Sequence, residues 1–294
     1  MWYRKSADFL YVLFVLKLMQ YKIHHEGNLI GTIHLVQDSN SKIKDRKDFI
    51  DSIVNQIPKH KQIGYAGMPE KTYLKRSLPW SIFAEYKGKS VPNYKLPNKE
   101  LINLIRKTIV KSYSSLPVSH TNVFVFPTFS PFVKHNMGGS TGYTPHKNTI
   151  QLYVHPEPVK GWQQKVTNTI AHEYSHSAIM QHHTWQTLLD SLIYEGLAEH
   201  FREKIMGGKR SAWSKAVSLK QVQKFWKQLK SHSHSDDYKL YHKVFFEGKE
   251  YPKWVGYTIG YEIFKSFLNN TKPHDWKAIV KLNSSEILAN SSFK

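Results

Sequence analysis

The 294-residue chain contains no cysteine. Disulfides are therefore excluded, and any metal must rest on imidazole and carboxylate donors. Acidic residues are also scarce, with 22 Asp and Glu against 42 Lys and Arg, for a formal charge of +20. Such a surface attracts nucleic acid, anionic lipid or acidic proteins. The lysines are spread along the whole chain, however, and no zinc-finger, RRM or KH signature accompanies them, so a nucleic-acid partner rests on charge alone. Long apolar runs are missing too. Residues 9–19 hold the longest, Phe9-Leu10-Tyr11-Val12-Leu13-Phe14-Val15-Leu16 with Lys17 before Leu18-Met19. This is short of the ~20 residues that span a bilayer, and no signal-peptidase site follows it. A buried helix or strand is the expectation there, with a membrane tether or export signal as the alternative, and a cytoplasmic location is expected. No internal repeat or low-complexity tract is present.

What is present describes a folded protein, with 40% hydrophobic and 14% aromatic residues. Residues 23–36 suggest a hairpin about Gly27-Asn28, and 47–57 a helix. Residues 98–113 suggest a second helix with Asn98 as N-cap. The Pro-, Gly- and Lys-rich stretch 58–97 reads as a boundary or irregular insertion, dividing a poorly assigned region 1–97 from a domain at 98–294. Val123-Phe124-Val125-Phe126 reads as a strand, and Thr149 to His155 alternates cleanly as another. Helical spacing recurs over 188–201, 211–229 and 257–268, so the carboxy-terminal part is expected to be mainly helical.

The chemistry concentrates at His172-Glu173-Tyr174-Ser175-His176. Residues four apart on a helix stand about 40° from each other, so His172 and His176 can grip one ion. Glu173 lies where a carboxylate can take a proton from metal-bound water. Two residues compete as third ligand. His182 has the spacing of the HExxHxxGxxH class, but Ile179 stands where that class needs a helix-breaking glycine. Glu195 has the better case: a second, antiparallel helix over 188–201 returns it to both histidines, with Gly196 permitting close approach of the two backbones. Glu199 falls one turn further on the same face and can accept the other ring N–H of a ligand histidine.

HExxH followed by Glu195-Gly196-Leu197-Ala198-Glu199 resembles the gluzincin branch of zinc metallopeptidases. More narrowly, Thr169 to His176 together with Tyr194 to Glu199 resembles the YjaZ-type family of predicted Zn-dependent proteases. Met137 to Thr144, Asn148 to Leu152 and Val255 to Tyr261 are similar to it as well. The resemblance covers about residues 95 to 270. It implies an α+β, zincin-like fold: a small mixed or antiparallel sheet whose edge strand, expected at 149–155, precedes the HExxH helix. It also implies one Zn2+ per chain on His172, His176 and Glu195, with Glu173 as general base and peptide or protein as substrate. By the same resemblance, a Gly-Tyr helix makes Tyr257, then Tyr261, the expected oxyanion donors. No G-x-M-E-N motif occurs, so the exosite of gluzincin aminopeptidases is not expected. The competing reading is a noncatalytic basic binding protein with structural zinc or none.

Overall fold

The computed structural model describes residues 17–37, 43–57, 68–271 and 275–294. Residues 9–16 of the apolar stretch lie outside them, and its last three residues open the first strand. Strand β1 (Lys17–His25) and β2 (Asn28–Gln37) form the expected hairpin. Its turn is Glu26-Gly27, both at positive φ, the backbone hand that a two-residue hairpin loop requires.

Helices α1 (Arg46–Gln56) and α2 (Glu70–Phe83) follow. The second falls in the stretch expected to be irregular. Its Leu74, Leu78 and Ile82 recur every four residues on one buried stripe, and that burial outweighs the hydrogen bond lost at Pro79. Helix α3 (Asn98–Ser115) begins one residue earlier than expected. The Leu101 amide donates to the Pro97 carbonyl at 2.9 Å, which makes Asn98 the first helical residue and not the cap.

Strand β3 (Thr121–Pro127), the short helix α4 (Pro131–Asn136), β4 (Ser140–His146) and β5 (Thr149–Val154) complete a five-stranded mixed sheet in the order β1-β2-β3-β5-β4. The inner strands β2, β3 and β5 are parallel, while β1 and β4 run antiparallel at the two edges. The expected edge strand is therefore interior, and β4 is the edge. The cause is visible in β5, where all six residues are buried. Its polar alternates touch each other, the Tyr153 hydroxyl donating to Gln151 Oε1 at 2.8 Å, so the alternating pattern does not mark a wet face. The sheet also draws strands from both sides of the boundary expected at 97/98.

Helix α5 (Trp162–Ile179) lies along β4 and β5 and against α3. Helix α6 (Leu188–Met206) starts at a capping box of Thr187 and Asp190. The segment expected as one helix over 211–229 is a 3₁₀ turn, Trp213–Lys215, then α7 (Leu219–Leu229), because Ser218 and Gln221 form a fresh capping box between them. Helix α8 (Tyr238–His242), α9 (Val255–Asn270), α10 (Trp276–Ile279) and α11 (Ser284–Ala289) close the chain. Among the described residues, no helix is long and apolar enough to cross a membrane.

Helices α6 and α9 meet through glycine. A Cβ on Gly196 would lie 2.2 Å from the Gly260 carbonyl oxygen, and one on Gly260 would lie 1.8 Å from the Leu192 carbonyl oxygen. The backbone approach that Gly196 was expected to give towards the HExxH helix is thus made to α9 instead. Gly260→Ala is expected to lower stability by about 2 kcal/mol, the cost of overpacking exceeding the gain in helix propensity. A urea midpoint at or above that of the parent chain would contradict this.

Candidate metal centre

Helix α5 puts His172 and His176 one turn apart, facing α6. Contacts rise along one helix as they fall along the other: His176 meets Glu195, and His172 meets both Glu195 and Glu199. The two helices are therefore antiparallel, as expected. His172 Nε2 lies 3.1 Å from Glu195 Oε2 and 3.1 Å from His176 Nε2, and His176 Nε2 lies 3.6 Å from Glu195 Oε2. Donors about 2.05 Å from a tetrahedral zinc are separated by about 3.3 Å, so this triangle has the edges that one small cation needs. Among the described residues these three form a group whose ligand atoms all lie within 4.8 Å of one another.

Behind the triangle, His172 Nδ1 faces Glu199 Oε2 at 3.6 Å. The other oxygen, Oε1, is held by the guanidinium of Arg202, the Ser211 amide at 3.0 Å and the Ser214 hydroxyl at 3.3 Å. Arg202 is itself buried at 1% exposure and donates also to the Gly207 and Lys209 carbonyls. Glu199 thus stands where a carboxylate orients a ligand imidazole. His176 packs edge-on against Trp185 with ring centroids 4.8 Å apart.

The electrostatics follow from burial against charge. Burial favours neutral His172, yet the carboxylates of Glu195 and Glu199 outweigh it and push the imidazole up to about 10. Burial likewise opposes charge on Glu195, but His176 and His172 overcome it and hold the carboxyl at about 2. Burial raises Glu173, offset only in part by the two imidazoles and by the Thr144 hydroxyl, which donates to Oε2 at 2.8 Å. Without a cation, His172 therefore keeps a proton through neutral pH. Its raised value means that this ion pair stabilises the metal-free fold fully below pH ~6.5 and is lost as pH rises through about 10.

Of the two expected tyrosines, Tyr257 packs edge-on against Phe245 with ring centroids 4.9 Å apart, and burial with the charges of Glu195 and Glu173 pushes its phenol well above the ordinary value. Tyr261 is held elsewhere. Its hydroxyl donates to Glu203 at 3.1 Å, and its ring stacks on His200 at 4.1 Å beneath the Arg210 guanidinium. One helical turn along α9 suffices to move it from Glu195 to Glu203. His182 lies exposed beyond the end of α5, and the His183 ring donates to the Val280 carbonyl at 3.0 Å, so neither joins the triangle. Thr144, Arg202 and Trp185 were not anticipated. Of these only Arg202 left a sequence signal, at three residues from Glu199 on one helix face.

Two imidazoles and one carboxylate about a single point make a candidate three-donor metal site. Residues 101–289 match the family described as predicted Zn-dependent protease (DUF2268), and the chain belongs to that family. Over 116 residues it is 34% identical to the "Uncharacterized protein YjaZ" of Bacillus subtilis (strain 168), a match covering 36% of this chain and 44% of that protein. The chain thus spans less than half the length of this curated relative in that match.

Glu195→Ala is expected to abolish stoichiometric zinc retention, Glu199→Ala to weaken it by about 10–100-fold, and His182→Ala to leave it unchanged. Metal analysis of the dialysed proteins reads this directly. Because binding must expel the His172 proton, apparent zinc affinity should rise about tenfold per pH unit between pH 7 and 9. Competition titration against a chelator of known pH dependence measures that slope, and a flat profile would contradict the assignment.

Proposed function

We propose that the chain is a zincin-like metallopeptidase of the gluzincin type, cleaving peptides or proteins internally with one zinc on His172, His176 and Glu195. The observation that carries this reading is the 3.1–3.6 Å triangle of donor atoms with Glu173 next to it on the same helix. Among the described residues only three donors converge, which leaves a tetrahedral ion one position for chemistry. Structural zinc is usually closed by four protein ligands, so the site favours a hydrolase over the noncatalytic alternative.

Bound there, zinc supplies a Lewis acid that brings the pKa of a water towards ~7. Glu173 would take a proton from the attacking water and give it to the departing amine. Burial raises the Glu173 carboxyl, the direction that suits a group which takes and returns a proton. The Tyr257 phenol, held protonated by its surroundings, donates to the oxygen that gains negative charge. Strand β4 ends the sheet, and an extended substrate segment can align along it by strand addition.

Glu173→Gln is expected to retain zinc while lowering kcat by at least about 10²-fold, since an amide cannot accept the proton. Tyr257→Phe should lower kcat by about 10²-fold with little change in KM. A peptide-library digest, with and without chelator and with zinc restored, tests the activity itself. Cleavage that survives in Glu173→Gln would remove Glu173 from the reaction.

A further inference from the structure

The β4 strand does more than end the sheet. Its residues Ser140, Gly142 and Thr144 meet α5 at Thr169 and Glu173. Alternate strand residues are about 6.7 Å apart, and helix residues four apart rise about 6 Å, so the two rows can match step for step. Ser140 Oγ lies 3.4 Å from Thr169 Oγ1, and the Thr144 hydroxyl lies 2.8 Å from Glu173 Oε2 and 3.0 Å from the Glu173 carbonyl oxygen. Between these two ties sits Gly142, where a Cβ would lie 2.5 Å from Glu173 Cγ and 2.8 Å from Thr169 Cγ2. The missing side chain makes room for the glutamate, not for a substrate.

Thr144 is buried and lies in an irregular stretch, where the β4–β5 register shifts between Tyr143 and His146. Such bulges re-aim a side chain next to a site. From these contacts we infer that Thr144 is the positioning residue of the general base. Its hydroxyl pins one carboxylate oxygen of Glu173, with Gly142 as the slot, so that the other oxygen is presented to the water. The inference rests on the hydrolase reading above but concerns a different residue and a different contact. The ionised acceptor makes the Oε2 bond the stronger of the two that the single hydroxyl proton can serve. The β-branched side chain fixes that proton's origin, because χ1 of threonine is stiff. A purely structural alternative exists: the hydroxyl could serve only the Glu173 carbonyl and tie β4 to α5.

The two roles separate in zinc-loaded full-length variants. Thr144→Val keeps the shape and removes the donor. Positioning predicts a kcat loss of about tenfold or more, KM within about twofold, unchanged zinc content, and recovery to within about threefold in Thr144→Ser. If the valine variant does not fold, Thr144→Ala carries the same comparison. Crystal structures of the variants give a readout independent of turnover. Glu173 should leave its rotamer in the valine or alanine variant and keep it in the serine variant. An undisturbed Glu173 rotamer with parental kcat in Thr144→Val would overturn the inference. A displaced rotamer in a chain that cleaves no peptide would uphold the Thr144 contact while removing the peptidase reading.

Discussion

Everything at this site follows from negative charge placed where water is scarce. Glu173, Glu195 and Glu199 are carboxylates within the α5–α6 packing, and among the described residues Arg202 is the one buried arginine set against them. Three negative groups and one positive leave two charges to be balanced in a medium that tolerates imbalance poorly. A divalent cation balances them in one step. A proton on His172 does so in part, which is why that imidazole holds its proton so tightly. The donor triangle, the raised imidazole and the braced Glu199 are three expressions of this one requirement.

The helices meet the requirement with little adjustable geometry. Helix α5 delivers two imidazoles by periodicity alone, and α6 delivers Glu195 and Glu199 one turn apart on the facing side. Helix α9, which carries Tyr257, packs on α6 through the glycine contact. The large apolar residues around them, among them Ile170, Tyr174, Leu192 and Phe201, are fully or almost fully buried. The scaffold therefore rests on packing, and the polar centre sits within it.

How far the sequence could be read depended on how local the determining physics was. His172, Glu173 and His176 were legible because a helical period fixes their relation, and Glu195 because a second apolar stripe surrounds it. Helix α2 was hidden by Pro79 and by a lysine- and glycine-rich flank, although Leu74, Leu78 and Ile82 already spelled its buried stripe. Strand β5 was expected at the edge because the family resemblance puts an edge strand before the HExxH helix, and only its pairing with both β3 and β4 reveals it as interior. Tyr257 and Tyr261 were indistinguishable by spacing, since what separates them is which glutamate of α6 lies opposite. Thr144 could not have been found, because its contact depends on the register of a strand against a helix twenty-nine residues away. The family match begins at residue 101, yet β2 pairs with β3 and extends the matched sheet by a hairpin that lies before it.

The glycine contact carries a consequence for how such a fold can vary. Gly196 follows Glu195 directly, and Gly260 lies three residues past Tyr257, so main chain touching main chain sets the gap between these stretches of α6 and α9. Exchanging side chains along α6 or α9 cannot widen that gap without prising the helices apart. Variation is thereby channelled to surfaces away from this seam, where a side chain can change without moving either helix.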